Sequence, residues 1–387
     1  MTPAARAAAA IEVLDQWLEG DRIEPVLRQW GRANRYAGSG DRRAIGDIAY
    51  ECLRRKPALA ALSGASGGRG LVHGWAVAAG IADRIFTGEG HAPPPLTAAE
   101  VIAPQDLPDP ARLCYPDWLD RPLRAALGAA FEPAMAALCA RAPVDLRVNR
   151  IKATEESARA ALSADAIAVQ PVDGVPGALR AAPQTRLTAS KAYGDGLVEV
   201  QDAASQAAAL ACAPEPGMTV LDYCAGGGGK ALALASLMGG KGRILAHDVN
   251  PRRMKDLPAR AARAGAEITL ATTGELTKAG PVFDLVLVDA PCSGSGTWRR
   301  DPEAKWHLTD AILHQRIADQ KAAFAAALGH LKPGGRIAYA TCSVLRTENQ
   351  DQITAFMTTW PQLSLTAEHV LLPGAPSDGF YCAVFQT

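Results

Sequence analysis

Two cysteines stand where this chain could do covalent chemistry. Cys292 lies in Val288-Asp-Ala-Pro-Cys-Ser-Gly-Ser-Gly-Thr297 and Cys342 in Tyr339-Ala-Thr-Cys-Ser343. Each follows an apolar run that reads as a strand, and Asp289 precedes the first thiol by three residues. A lone cysteine at a strand end usually packs as a small hydrophobe; two of them, one with a nearby acid, point to a reaction. The set suits attack on an electron-poor ring. Carbon 5 of cytosine is too weak a nucleophile to accept a methyl group unaided. A thiolate adding to carbon 6 makes the ring an enamine and splits one hard step into two. A carboxyl group beside ring nitrogen 3 would stabilise the charge that develops, and a base must then remove the carbon-5 proton. The thiolate is the reactive form, so positive charge or backbone donors are needed nearby. Residue chemistry alone does not choose between Cys292 and Cys342 as the nucleophile.

A third segment, Leu221-Asp-Tyr-Cys-Ala-Gly-Gly-Gly-Gly-Lys230, follows another short apolar run. Consecutive glycines let backbone approach a ligand, and the next apolar run ends in His247-Asp248, where a carboxylate can accept from both hydroxyls of a ribose. A dinucleotide or S-adenosylmethionine would suit this arrangement. The glycines do not match G-x-G-x-x-G, and the Walker spacing with Ser or Thr after Lys is absent, which disfavours a nucleotide triphosphatase.

These loops need a sheet to carry them. From about residue 200 the chain alternates strand and helix, with strands at 219–222, 242–248, 283–289, 335–341 and 380–385 and helices at 231–237, 252–263 and 313–328. That order implies a mostly parallel, doubly wound sheet with its turns meeting at one edge. Residues 1 to about 60 carry apolar positions at helical spacing, as in Ile11, Leu14 and Leu18, and 119–142 reads as helical too. Pro104 to Pro110 reads as linker, and 141–200 as a small α/β module. Trp17, Trp30, Trp75 and Trp118 read as core residues.

Lys plus Arg is 40 and Asp plus Glu is 40, and 48% of the 387 residues are apolar. This excludes a disordered chain or a polycation that binds nucleic acid without selection. Local basic clusters at 42–55, 241–263 and 299–305 still allow phosphate contact. No apolar run is long enough for a transmembrane helix, no signal peptide is apparent, and the eight dispersed cysteines indicate free thiols and a cytoplasmic setting. No metal-ligand spacing is present.

In their order along the chain, these segments resemble the Sun/RsmB family of S-adenosylmethionine-dependent RNA cytosine-5 methyltransferases. The resemblance rests on Val200 to Gln206, Asp222 to Lys230, Asp289-Ala-Pro-Cys-Ser293, Arg299 to Trp306, Lys332-Pro-Gly-Gly335, Thr341-Cys-Ser343 and Asp378-Gly-Phe-Tyr381. It implies a Rossmann-like class I methyltransferase domain over 201–387, a small α/β RNA-contacting subdomain over 141–200, and an all-α NusB-like RNA-binding extension over 1–140. It makes Cys342 the nucleophile, Cys292 the residue of product release as or through the base, and Asp289 a contact to the cytosine ring. Cys224, Ala225, Gly226, Gly227, Gly228, Gly229, Lys230, Asp248 and Asp289 would hold the cofactor. Arg147, Asn149, Arg299 and Lys305 would meet RNA, either rRNA of the 16S type or tRNA, with the protein a monomer and no membrane or metal involved. The cofactor loop has Gly-Gly-Gly-Gly-Lys where the family often has Ala-Pro-Gly-Gly-Lys, and 272–276 carries Gly274-Glu275 where the family has an adenine-holding aspartate. Two alternatives are a methyltransferase acting on a small molecule and a non-catalytic RNA-binding or assembly protein of the same fold.

Overall fold

The computed structural model describes residues 1–100, 106–183, 185–375 and 377–387, so the expected 104–110 linker lies outside the described residues at 104 and 105. From 109 that stretch turns helical, in a short helix Asp109–Arg112. The chain divides into two compact units.

The first unit comprises Met1–Arg121 together with Trp298–His307. Its helices include Pro3–Leu18, Ile23–Ala33, Ser39–Arg54, Lys56–Ser63 and Gly68–Ala78. The first starts cleanly because the Thr2 hydroxyl accepts from the Ala5 amide and Pro3 occupies the first turn, where no amide hydrogen is needed. Leu14, Ile45, Cys52, Leu53, Leu71 and Val72 are fully buried between the helices. Residues 298–307 complete this unit from far along the chain. Glu303 accepts from the Trp17 indole and the Ile23 amide, both at 3.1 Å. Trp306 donates to the Leu53 carbonyl at 2.6 Å. Trp17 and Trp30 are buried as expected, but Trp118 is 38% exposed; it sits in a single turn, Asp117–Leu119, whose buried residue is Leu119.

The second unit holds two sheets. Strands β1 (Val144–Val148), β2 (Val169–Pro171), β3 (Ala178–Ala181) and β4 (Val198–Val200) form an antiparallel sheet in the order β2-β3-β1-β4. Helix Glu155–Ala164 covers it with Ala158 and Leu162 against Leu146, Val148 and Leu179. The larger sheet contains β5 (Thr219–Asp222), β6 (Arg243–Ala246), β7 (Ile268–Leu270), β8 (Phe283–Asp289), β9 (Leu331–Thr341), β10 (Ser364–Leu371) and β11 (Phe380–Gln386). Its order is β10-β11-β9-β8-β5-β6-β7; β5 to β9 run parallel, and β11 pairs antiparallel with both β9 and β10. Leu285 and Leu287 face one layer with Leu232, Leu234 and Leu257; Val286 and Val288 face the other with Phe324, Ile353 and Phe356. Burial on both faces explains the continuous apolar run of β8. Strand order reverses between β5 and β8, so a crevice opens at their carboxyl ends.

Several expectations change. Helix Asp120–Leu127 from Pro122 onward and helix Phe131–Cys139 fall in the second unit, so the two compact units part after Arg121, where the sequence placed a boundary at 140. Gly128, at φ +51°, separates these two helices. The helix expected over 252–263 is a 3-10 turn, Pro251–Met254, then an α-helix Leu257–Ala264, because Pro258 is tolerated only in a first turn. Among the described residues no helix is long and apolar enough to cross a membrane.

Candidate active site

Strands β8 and β9 run parallel with Asp289 opposite Ala340, so the turns that follow them emerge side by side. The sulfurs of Cys292 and Cys342 are 3.4 Å apart. The Gly296 amide donates to the Cys342 carbonyl at 2.9 Å, and the Gly379 amide to the Gly296 carbonyl at 2.8 Å, which fastens the two turns together. The thiol of Cys292 is pushed well above its ordinary range, first by the hydrogen it shares with Cys342, then by burial and by the charge of Glu348.

Positive charge is at hand. Lys230, at the start of helix Gly229–Leu237, reaches Asp289 at 2.6 Å. Burial by itself would lower the Lys230 ammonium; the charge of Asp289, its hydrogen bond and the sulfur of Cys342 outweigh this and raise it. Its Nζ also lies over the Phe380 ring, 4.9 Å from the centroid. Asp289 and Lys230 are thus one ion pair beside two thiols.

Asp222 closes β5 directly below. It is fully buried, neither of its oxygens has a hydrogen-bond partner of good geometry, and its carboxyl is raised to about 7. Burial is the main cause, followed by the charge of Asp289, against which Lys230 and the Ala231 amide act.

The loop Cys224–Gly229 turns over the end of β5. Gly228 has φ +77°, and a β-carbon there would fall inside the Leu257 side chain, so glycine is required on both counts. Asp248 anchors the loop: its Oδ2 accepts from the Gly226 amide at 2.9 Å and from Arg253 at 3.0 Å, and its Oδ1 accepts from the Asn250 amide at 2.9 Å. A carboxylate has about four acceptor sites, so capacity remains for ribose hydroxyls. Val249 beside it is 82% exposed and offers an apolar face to a flat ring. Glycine cradle, spare carboxylate acceptors and exposed apolar face together fit a nucleoside-bearing cofactor. Arg253 and Val249 were missed from sequence; their only signal was position next to Asp248. Glu275 instead caps its own helix, accepting from the Thr272 amide at 2.8 Å. The Cys224 thiol is raised, mainly by burial.

The four residues expected to meet RNA are all inside the protein. Arg147 is buried; it donates to the Gly229 carbonyl at 3.0 Å and to Gln201, bracing the cofactor loop. Asn149 donates to the carbonyls of Gly196 at 2.8 Å and Ala264 at 2.7 Å. Arg299 is 4% exposed, and Lys305 is 1% exposed with its ammonium on the Arg54 carbonyl at 2.8 Å. Burial takes all four away from the surface, and Arg147, Asn149 and Lys305 spend donors on backbone carbonyls or, for Arg147, also on Gln201. In the 241–263 cluster, Arg260 and Arg263 pair with Glu199 at 3.0 and 2.6 Å, while the other five basic residues are exposed.

Residues 209–385 match a family model described as 16S rRNA methyltransferase RsmB/F, and residues 115–187 match the ferredoxin-like domain of RsmF/B-like methyltransferases. The chain is 34% identical over 258 residues to ribosomal RNA small subunit methyltransferase B of Sodalis glossinidius (66% of this chain, 59% of that protein). It is 34% identical over 285 residues to the protein of the same name from Enterobacter sp. (70% and 66%). The matched segment therefore spans less than two thirds of either relative's length. Among solved structures, PH0851 superposes with a TM-score of 0.78 at 23% identity, covering 100% of this chain and 99% of that one. NSun6 from Pyrococcus horikoshii with SFG superposes with a TM-score of 0.63 at 18% identity, covering 70% and 98%. At these identities the two structures speak to fold.

Proposed function

Because the chain belongs to the RsmB/F family of 16S rRNA methyltransferases, we propose that it methylates carbon 5 of a cytosine in ribosomal RNA through a covalent adduct on Cys342. The observation that carries this reading is the pair of thiols 3.4 Å apart beside the Lys230–Asp289 ion pair, at adjoining strand ends. S-adenosylmethionine is the cofactor, supplying an electrophilic methyl group when bound; the SFG held by NSun6 is an analogue of it. Backbone of Ala225 to Gly229 and the carboxylate of Asp248 hold it, with Val249 against its adenine.

The ring must be unstacked to reach the pocket, since carbon 6 is shielded within a helix. Cys342, as thiolate, bonds to carbon 6. Asp289 and Lys230 face ring nitrogen 3 and stabilise the charge pushed onto it. Carbon 5 then takes the methyl group. As the bond from carbon 6 to sulfur breaks, Cys292 passes its proton to the departing Cys342 sulfur and takes the carbon-5 proton. The thiol pair enters the cycle with one proton and leaves with two, the second being lost to solvent. Such chemistry on ribosomal RNA belongs in the cytoplasm.

The test is incubation with S-adenosylmethionine and small-subunit rRNA containing 5-fluorocytidine, followed by denaturing electrophoresis. Wild type should form a stable adduct and Cys342→Ala none. Loss of the adduct in Cys292→Ala but not in Cys342→Ala would reverse the assignment. An adduct with tRNA alone would move the substrate, and none with any RNA would leave a small-molecule enzyme or an inert binder.

A further inference from the structure

Beneath the two cysteine turns lies a carboxylate held only by neutral donors. Glu348 is fully buried. Its Oε1 accepts from the Ser293 amide at 2.8 Å and from Gln320 at 3.0 Å, and its Oε2 accepts from the Ser293 hydroxyl at 2.5 Å. Ser293 is the residue after Cys292. The same cluster reaches the residue after Cys342: the Ser343 hydroxyl lies 3.3 Å from that of Ser293, and Asn349 donates to the Ser343 carbonyl at 2.9 Å. The Thr341 hydroxyl donates to Asn349 at 2.6 Å, and the Tyr339 hydroxyl to the Glu348 carbonyl at 2.7 Å. Consecutive residues 348 and 349 thus hold one cysteine turn each.

Three neutral donors hold this carboxylate, no ion pair to it is found among the described residues, and its field raises the Cys292 thiol. That field falls on the Cys292 turn. On the other side, Cys342 shares its surroundings with the Lys230 ammonium, which feels the Cys342 sulfur. The two thiols are therefore alike in geometry and differ in their charged neighbours, Glu348 for Cys292 and Lys230 for Cys342.

We propose that Glu348 is a positioning residue: it grips both donors of Ser293, sets Cys292 against Cys342, and places a negative charge on the Cys292 side. The shared proton then stays on Cys292, and Cys342 is left as the nucleophile. This division of labour rests on the proposed methyl transfer for its purpose and on the geometry alone for its existence. The charged and titratable groups around Cys292 are Cys342, Glu348, Tyr339 and, three residues earlier, Asp289 with its partner Lys230. Cys342 and Glu348 both favour the thiol form of Cys292.

The test is labelling of the full chain with substoichiometric iodoacetamide from pH 6 to 10, with Cys292 and Cys342 peptides quantified separately by mass spectrometry. In wild type, Cys342 should label several-fold faster than Cys292 near neutral pH, because burial, Cys342 and the charge of Glu348 hold the Cys292 thiol protonated. Glu348→Gln keeps the shape and removes the charge, so the ratio should shrink and the Cys292 midpoint should fall. Glu348→Asp keeps the charge and should retain the direction of the preference. Equal labelling of both thiols in wild type overturns the proposal without any variant. A folded Glu348→Gln protein with the wild-type ratio and midpoint overturns it as well. Running the 5-fluorocytidine adduct assay in parallel separates the two claims: no adduct in wild type removes the methyltransferase reading, while the labelling ratio still decides on Glu348.

Discussion

Replacing Asp222 with asparagine should flatten the pH dependence of folding in the second unit. The carboxyl is raised from 3.8 to about 7 by burial and by Asp289. Three units at about 1.4 kcal/mol each set a ceiling of about 4 kcal/mol. Coupling to Lys230 and Asp289 spreads the titration, so about 2–4 kcal/mol is the working range. The sign is unusual for a carboxylate. Below pH 4 both folded and unfolded chains hold the proton, and between 4 and 7 only the folded chain does. Raising the pH through that window therefore removes stability, and the loss is complete above 7. Asparagine has no proton to lose, so the stability of Asp222→Asn relative to wild type should climb through the same window and be level outside it. Of seven tryptophans only Trp360 lies in this unit, so total fluorescence would follow the other one. Hydrogen exchange of the β5 amides, corrected for intrinsic rate, is the suitable assay. A difference that does not change between pH 4 and 8, or a carboxyl signal of Asp222 titrating near 4 by NMR, would refute the reasoning.

Three further outcomes follow from the geometry. Gly228→Ala meets both a left-handed backbone and the Leu257 side chain; it should lower stability by about 1–3 kcal/mol and weaken S-adenosylmethionine binding, read by melting and calorimetry. Asp248→Asn loses the charge that gathers the Gly226 amide and Arg253, and calorimetry should show cofactor affinity reduced about tenfold or more. Lys305→Ala strands the buried Arg54 carbonyl; it should cost about 1–3 kcal/mol in thermal unfolding yet leave the slope of RNA affinity against salt unchanged, because the ammonium meets no phosphate.

The reacting groups were legible because each closes an apolar run, and in a doubly wound sheet such turns share one edge. Asp289, Cys292, Cys342 and the glycine loop come together for that reason. The burial of Arg147, Asn149, Arg299 and Lys305 was not legible. Whether a cation is inside depends on what accepts from it, and the acceptor for Lys305 is the carbonyl of Arg54, 251 residues away. Glu348 carries no local signal either, since its partners Ser293 and Gln320 become neighbours only through the sheet. Strand β7 has three residues and lies at one edge, while β10 at the other exposes Glu368 and His369, so neither shows the apolar run that marked β8.

The insertion of residues 298–307 into the helical unit reverses the usual order of events on the ribosome. Domains generally fold from the N-terminus as they emerge. Here residues 1–121 emerge first but lack Trp306 on the Leu53 carbonyl, Lys305 on that of Arg54, and Glu303 for the Trp17 indole. At typical elongation rates the missing strip arrives roughly 10–40 s later. Through that interval residues 1–121 lack these partners, while strands β1 to β8 are being made. The helical unit is therefore completed only after most of the second unit has been made.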